Sequence, residues 1–152
     1  DRIDRLPDGR IIIIDYKTGD VTISDWLTDR VAEPQLPLYG IMADARVGAV
    51  VFARIQRGRI ACLGLADEPT LAPGLFAPAS RHHENLDALI DWWREKLAAL
   101  AMEVRGGHAT VSPVSVQKTC RYCDLGILCR VGEGLVLESV CNGDDDNGDD
   151  NA

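Results

Sequence analysis

The sequence predicts an α/β fold, and three observations carry that expectation. Two stretches with the alternation and turn residues of β-hairpins occupy residues 3–17 and 48–65. A helical segment separates them, and a long amphipathic helix follows at residues 85–105. Strand and helix patterns that alternate along one chain point to a sheet with helices packed on it.

In the first hairpin, Ile3 to Leu6 and Arg10 to Lys17 are the strands and Pro7-Asp8-Gly9 the turn. Ile11 to Ile14 is an unbroken β-branched run, suited to a strand buried on both faces. Gly9 suits the left-handed position of a three-residue hairpin loop, and Thr18-Gly19-Asp20 ends the second strand. Glu33 to Ala45 reads as a helix opened by Pro34, with Pro37 still inside the first turn. Gly48 to Arg54 and Arg59 to Leu65 form the second hairpin, turned at Gln56-Arg57-Gly58. Asp67 to Pro78, rich in Pro, Gly and Ala, reads as a loop. From Asn85 to Arg105 the positions Leu86, Leu89, Ile90, Trp93, Leu97 and Leu100 follow a 3.6-residue period, and Gly106-Gly107 stops the helix. Trp93 is expected in the core rather than as a base-stacking surface. There is no internal repeat and no Gly-rich phosphate loop.

With 152 residues the chain is of single-domain size. No stretch approaches the roughly 20 apolar residues that span a bilayer, and no basic-then-apolar leader is present. The chain opens at Asp1, inside what reads as a strand, so further sequence is expected upstream. The net charge of −8 argues against DNA binding only until its location is considered. Seven acids and no Lys or Arg lie from Val131 onward; the rest of the chain is close to neutral. Residues 132–152 are therefore expected to be a disordered acidic tail.

Asp15 and Lys17 share one face of their strand, while Tyr16 points to the other. If Leu6 pairs with Arg10 across the turn, Asp1 falls opposite Asp15, with Cβ atoms about 4.5–5.5 Å apart, and Asp4 falls opposite Ile12 on the other side. Carboxylates that close repel unless a cation lies between them, and oxygen donors suit Mg²⁺ or Mn²⁺. Lys17 beside them could orient a metal-activated water or neutralise charge on a phosphate.

The run Asp1-Arg-Ile-Asp-Arg…Ile-Ile-Asp15-Tyr-Lys17-Thr-Gly resembles the core of the PD-(D/E)XK nuclease superfamily in its RecB/AddB-like branch. Asp1 matches the first motif acid, Asp15 the second and Lys17 the lysine. That branch follows with Gln-x-x-x-Tyr on a helix, found here as Gln35-Leu-Pro-Leu-Tyr39, whose four-residue step sets both side chains on one face. The resemblance implies a restriction-endonuclease-like mixed β-sheet core flanked by helices, truncated here at its N-terminal side. It implies a catalytic set of Asp1, Asp15, Lys17, Gln35 and Tyr39, with Asp1, Asp15 and Tyr16 assigned to the metal. The resemblance implies a further Glu or His upstream of Asp1. The glycine expected three residues before the first acid would also fall before Asp1 and is not in this sequence, so the choice of Asp1 over Asp4 rests on register and spacing.

The five cysteines are Cys62, Cys120, Cys123, Cys129 and Cys141. An odd count with three thiols in one short stretch fits a reduced cytosolic metal or cluster site better than a disulfide framework. Cys120-x2-Cys123-x5-Cys129 has metal-site spacing but is one ligand short of four. Zinc could recruit Cys141 or His108. The resemblance implies instead a structural [4Fe–4S] cluster completed by an upstream cysteine. Cys62, in an apolar strand, is expected in the core, and His82 and His83 on the surface. Arg121 and Arg130 could touch phosphates or balance the charge of a cluster.

The expected domain thus runs over residues 1–131. Its expected function is that of a Mg²⁺-dependent, exonuclease-type deoxyribonuclease of bacterial recombinational double-strand-break repair. Its partners would be DNA and a helicase/ATPase subunit or upstream helicase-like domain, in the cytoplasm and away from membranes. The alternatives are a non-catalytic DNA-binding or scaffolding subunit that retains the fold, and a zinc-binding interaction module around Cys120 to Cys129. The isolated chain is expected to be inactive and poorly stable, because the site would lack an acid and the cluster a ligand.

Overall fold

The computed structural model describes residues 1–76 and 84–131. The expected tail, His82, His83 and Cys141 lie outside them. Two compact units divide the chain, Asp1–His108 and the residues from Ala109 onward.

The first unit is built on five strands in the order β1-β2-β3-β4-β5. They are β1 (Arg2–Arg5), β2 (Ile11–Lys17), β3 (Val47–Gln56), β4 (Arg59–Ala66) and β5 (Leu75–Phe76). β1 and β2 pair antiparallel, β2 and β3 parallel, β3 and β4 antiparallel, and β4 and β5 parallel. The sheet is therefore mixed, as expected. The β1–β2 register sets Asp4 opposite Ile12 and Arg2 opposite Ile14. A three-residue loop fixes it, through Leu6 N–H to the Arg10 carbonyl at 2.8 Å and Gly9 N–H to the Leu6 carbonyl at 3.0 Å. Gly9 has φ +90°, a conformation open to glycine at little cost. Asp8 closes the loop by accepting from the Arg10 main-chain and side-chain N–H groups. Those bonds hold its carboxyl below the usual carboxylate range.

Between β2 and β3 the chain makes a 3-10 turn at Ile23–Trp26 and then α1 (Gln35–Met42). Pro37 sits third in α1, where an N–H would have no intrahelical partner, so its missing donor costs nothing. α2 (Leu86–Arg105) is capped by Asn85, whose side chain accepts from Ala88 N–H at 2.8 Å.

Both helices cover one face of the sheet. Ile11, Ile13, Val50, Phe52 and Leu65 meet Leu36 of α1, Trp26, and Leu86, Leu89, Ile90 and Trp93 of α2 in one core. Trp93 is fully buried and its Nε1 donates to the Trp26 carbonyl at 2.8 Å. Trp92 packs at the margin of the core, with Lys96 Nζ 5.7 Å from its ring centre. Burial of these apolar groups is the main stabilising term of the unit.

The other face has a smaller core of Ala49, Val51, Ala66 and Leu75. Two expectations are corrected there. The segment after Asp67 is not simply a loop: it forms a 3-10 turn at Pro69–Leu71 and then β5. Cys62 is exposed rather than buried. β5 pairs along the edge of β4 only at Gly64 and Leu65, short of Cys62.

Gly64 sits where a side chain has no room. A Cβ there would lie 2.2 Å from the Val50 carbonyl oxygen and 2.9 Å from Val51 Cα, both main-chain atoms of the neighbouring strand. Gly64→Val is expected to cost about 3 kcal/mol through overpacking, read as a lower urea midpoint with an unchanged slope. A variant as stable as the parent would contradict the β3–β4 pairing described here.

In the second unit, α3 (Val116–Thr119) and α4 (Gly126–Cys129) are single turns. Ser115 caps α3 by accepting from Lys118 N–H. Tyr122, Leu125, Ile127 and Leu128 are exposed. Among the described residues, no helix is long and apolar enough to cross a membrane.

Candidate active site

β2 delivers Asp15 and Lys17 to the helix-covered face, two residues beyond the buried Ile13. Asp15 is 3% exposed, the one charged residue in the core among the described residues. Burying a carboxylate without full compensation is costly. Lys17 Nζ lies 2.9 Å from Asp15 Oδ2, but its approach is off the hydrogen-bonding direction, so this buried oxygen receives no directed donor. The ammonium also lies 5.8 Å from the centre of the Phe52 ring.

From Lys17 a chain of polar contacts runs to α1 and back to the N-terminus. Lys17 Nζ donates to Gln35 Oε1 at 3.1 Å. Gln35 Nε2 donates to Asp1 Oδ2 at 3.1 Å and approaches the Tyr39 hydroxyl at 3.4 Å. The Tyr39 hydroxyl donates to the same Asp1 oxygen at 2.9 Å. The helical i,i+4 step lets Gln35 and Tyr39 grip one carboxylate together. Regular β1–β2 pairing ends at Arg2 opposite Ile14, one residue short of Asp1 and Asp15, so the expected Asp1–Asp15 pair is not part of the ladder.

The structure thus brings Asp1, Asp15, Lys17, Gln35 and Tyr39 into one network. Tyr16 is not part of it. Its side chain is exposed on the opposite face near Arg2, whose guanidinium is held above its ordinary pKa first by Asp4 and then by Tyr16. Any part Tyr16 plays on the acid face must go through its main chain. Asp4 also lies on that opposite face, paired to Arg2 at 2.6 Å.

Two carboxylates, one with an orphaned buried oxygen, fit a hard, oxygen-seeking cation. The set is small: among the described residues no three His, Cys, Asp or Glu side chains gather into a metal-holding group. That also applies to Cys120, Cys123 and Cys129, which are free thiols that do not converge as a ligand set. Cys120 ends α3 and Cys129 ends α4, and the Cys129 Sγ turns to the Gly126 carbonyl at 3.8 Å. Arg121 stacks on Tyr122, 5.2 Å from the ring centre.

Motif spacing did not reveal the cationic neighbours of the site. Arg54 pairs with Lys17 across β2 and β3 and lies 3.5 Å from Asp20. Only the parallel register, which depends on long-range pairing, places it there.

A mixed sheet whose second strand ends in a buried Asp and a Lys, backed by a helix carrying Gln and Tyr, defines a nuclease-type α/β core. The chain belongs to the PD-(D/E)XK nuclease superfamily, whose family model matches residues 1–130. Neither the curated proteins nor the solved structures give a match.

Proposed function

We propose that this protein hydrolyses phosphodiester bonds of DNA with Mg²⁺ or Mn²⁺ at Asp1 and Asp15. The observation that carries this reading is the unbroken polar chain from Asp15 through Lys17, Gln35 and Tyr39 to Asp1. Asp15 offers a buried oxygen without a directed donor, and Asp1 offers a carboxylate already held in place. A divalent ion bound there would supply Lewis-acid activation of water and of the phosphoryl oxygen. Lys17 stands beside Asp15, positioned to orient the nucleophile or to neutralise charge that develops on the phosphate. Gln35 ties Lys17 to Asp1, and Tyr39 fixes the Asp1 carboxylate, so both act by positioning.

The finer reading is an exonuclease-type enzyme of the RecB/AddB-like branch, working in bacterial double-strand-break repair beside a helicase/ATPase. The Gln35-x-x-x-Tyr39 motif and the Cys120-x2-Cys123-x5-Cys129 spacing support it. In this reading residues 1–131 form the nuclease domain. The three cysteines would hold a structural [4Fe–4S] cluster, with zinc as the alternative, and take no part in the chemistry. As placed, the thiols do not fit such a group, and no step depends on it.

The test is cleavage of linear DNA by the full-length protein, with its upstream sequence, in Mg²⁺ or in EDTA. Cleavage that requires the metal is expected, and its absence would sink the reading. The small acid set favours one rival, a DNA-binding scaffold that retains the fold. Tight DNA binding without metal-dependent cleavage would establish that rival.

A further inference from the structure

The sheet carries a second cationic feature on the face of Asp15 and Lys17. β2 stops at Lys17, paired with Arg54, while β3 and β4 run on to a turn at Arg57-Gly58. Side chains alternate, so Arg54, Gln56 and Arg59 share the face of Lys17, with Gln56 paired to Arg59. Each row lies about 7 Å beyond the last. The order outward is Asp15 beside Phe52, Lys17 beside Arg54, then Arg59, with Arg57 at the turn.

From Val47 to Ala66 there is no acidic residue, in a chain whose net charge is −8. Arg57 and Arg59 are exposed and have no ion pair among the described residues. Gln56 anchors the base of the tip, donating to the Thr18 carbonyl at 3.2 Å, directly after the strand that carries Lys17. Unpaired guanidinium groups on an exposed hairpin suit phosphate oxygens, which they can bind through paired N–H groups.

We propose that the β3–β4 tip is a DNA-backbone clamp, in which Arg57 and Arg59 bind phosphates beside the one held at Asp15 and Lys17. This rests on the nuclease reading above, and it assigns the hairpin a ligand of stated chemistry. Phosphate contacts of this kind position a strand without reading its sequence.

The experiment measures binding of a fluorescent DNA oligonucleotide by anisotropy, in EDTA to prevent cleavage, over a range of NaCl. Arg57→Ser/Arg59→Ser is expected to weaken binding about tenfold near 0.1 M salt and to lower the salt slope by about 1.5. Arg57→Lys/Arg59→Lys should recover most of the slope. Arg94→Ser/Arg105→Ser, which removes the same charge from α2, should stay within about twofold of the parent. Melting curves that match the parent's show that the surface variants fold. Unchanged affinity and slope in the tip variant, or an equal loss in the α2 variant, would overturn the clamp alone. If the parent protein binds no DNA at any salt, the nuclease reading fails, and the clamp falls with it.

Discussion

Asp15→Asn is expected to lower metal-dependent DNA cleavage about a thousandfold, the scale of losing one preorganised electrostatic group at a metal-assisted site. The substitution keeps the side-chain shape and removes the charge. Asp15 is buried, so removing its charge relieves a desolvation cost that offsets the lost ion pair to Lys17, and the folded protein loses little. Lys17 keeps its bond to Gln35. The melting temperature should therefore stay near the parent's, while the stabilisation that Mn²⁺ gives the parent protein disappears. Activity and metal response should thus fall together, with the fold intact. Lys17→Ala differs, because it leaves a buried carboxylate without its partner, at a cost of about 3–5 kcal/mol. Cleavage by Asp15→Asn within fivefold of the parent, or an unchanged Mn²⁺ shift, would remove Asp15 from the reaction.

Trp93→Ala should have the largest effect on stability, about 3–5 kcal/mol. The side chain is fully buried, its ring meets Trp26 edge-on with centres 6.3 Å apart, and its Nε1 satisfies the Trp26 carbonyl. Truncation leaves both a cavity and a buried carbonyl without its donor. Against a typical total of about 5–15 kcal/mol this is a large share, and the melting temperature should drop by roughly 10–20 °C. The effect should extend to the site. α1 crosses α2 at Gly40, where a Cβ would lie 3.7 Å from Ile90 and 3.8 Å from Trp93, and α1 carries Gln35 and Tyr39. Trp92→Ala, at the margin of the core, should cost much less. Thermal or urea unfolding of the two variants side by side checks the difference, and equal losses would contradict the packing.

Local pattern determined much of this protein. The Pro7-Asp8-Gly9 turn fixes a register in which every cross-strand partner follows by counting, because side chains alternate strictly along a strand. Asp4 opposite Ile12, and the shared face of Asp15 and Lys17, could therefore be read from the chain alone. The helical period placed Trp93 inside, and the four-residue step joined Gln35 to Tyr39 on one face. Cys62 is exposed although its strand is apolar, because an apolar strand reads the same whether or not anything covers it. β5, which pairs with only part of β4, is two residues long and leaves almost no local signal.

What only the tertiary structure decided concerns contacts between distant segments. The parallel pairing of β2 with β3 sets Arg54 beside Lys17, and no turn in the sequence dictates that register. Packing of α1 on the sheet bends Gln35 and Tyr39 onto Asp1, more than thirty residues away. Lys17 and Asp15 form a motif in the sequence. They join a larger network because the packing of α1 on the sheet brings Gln35 within hydrogen-bond reach of Lys17.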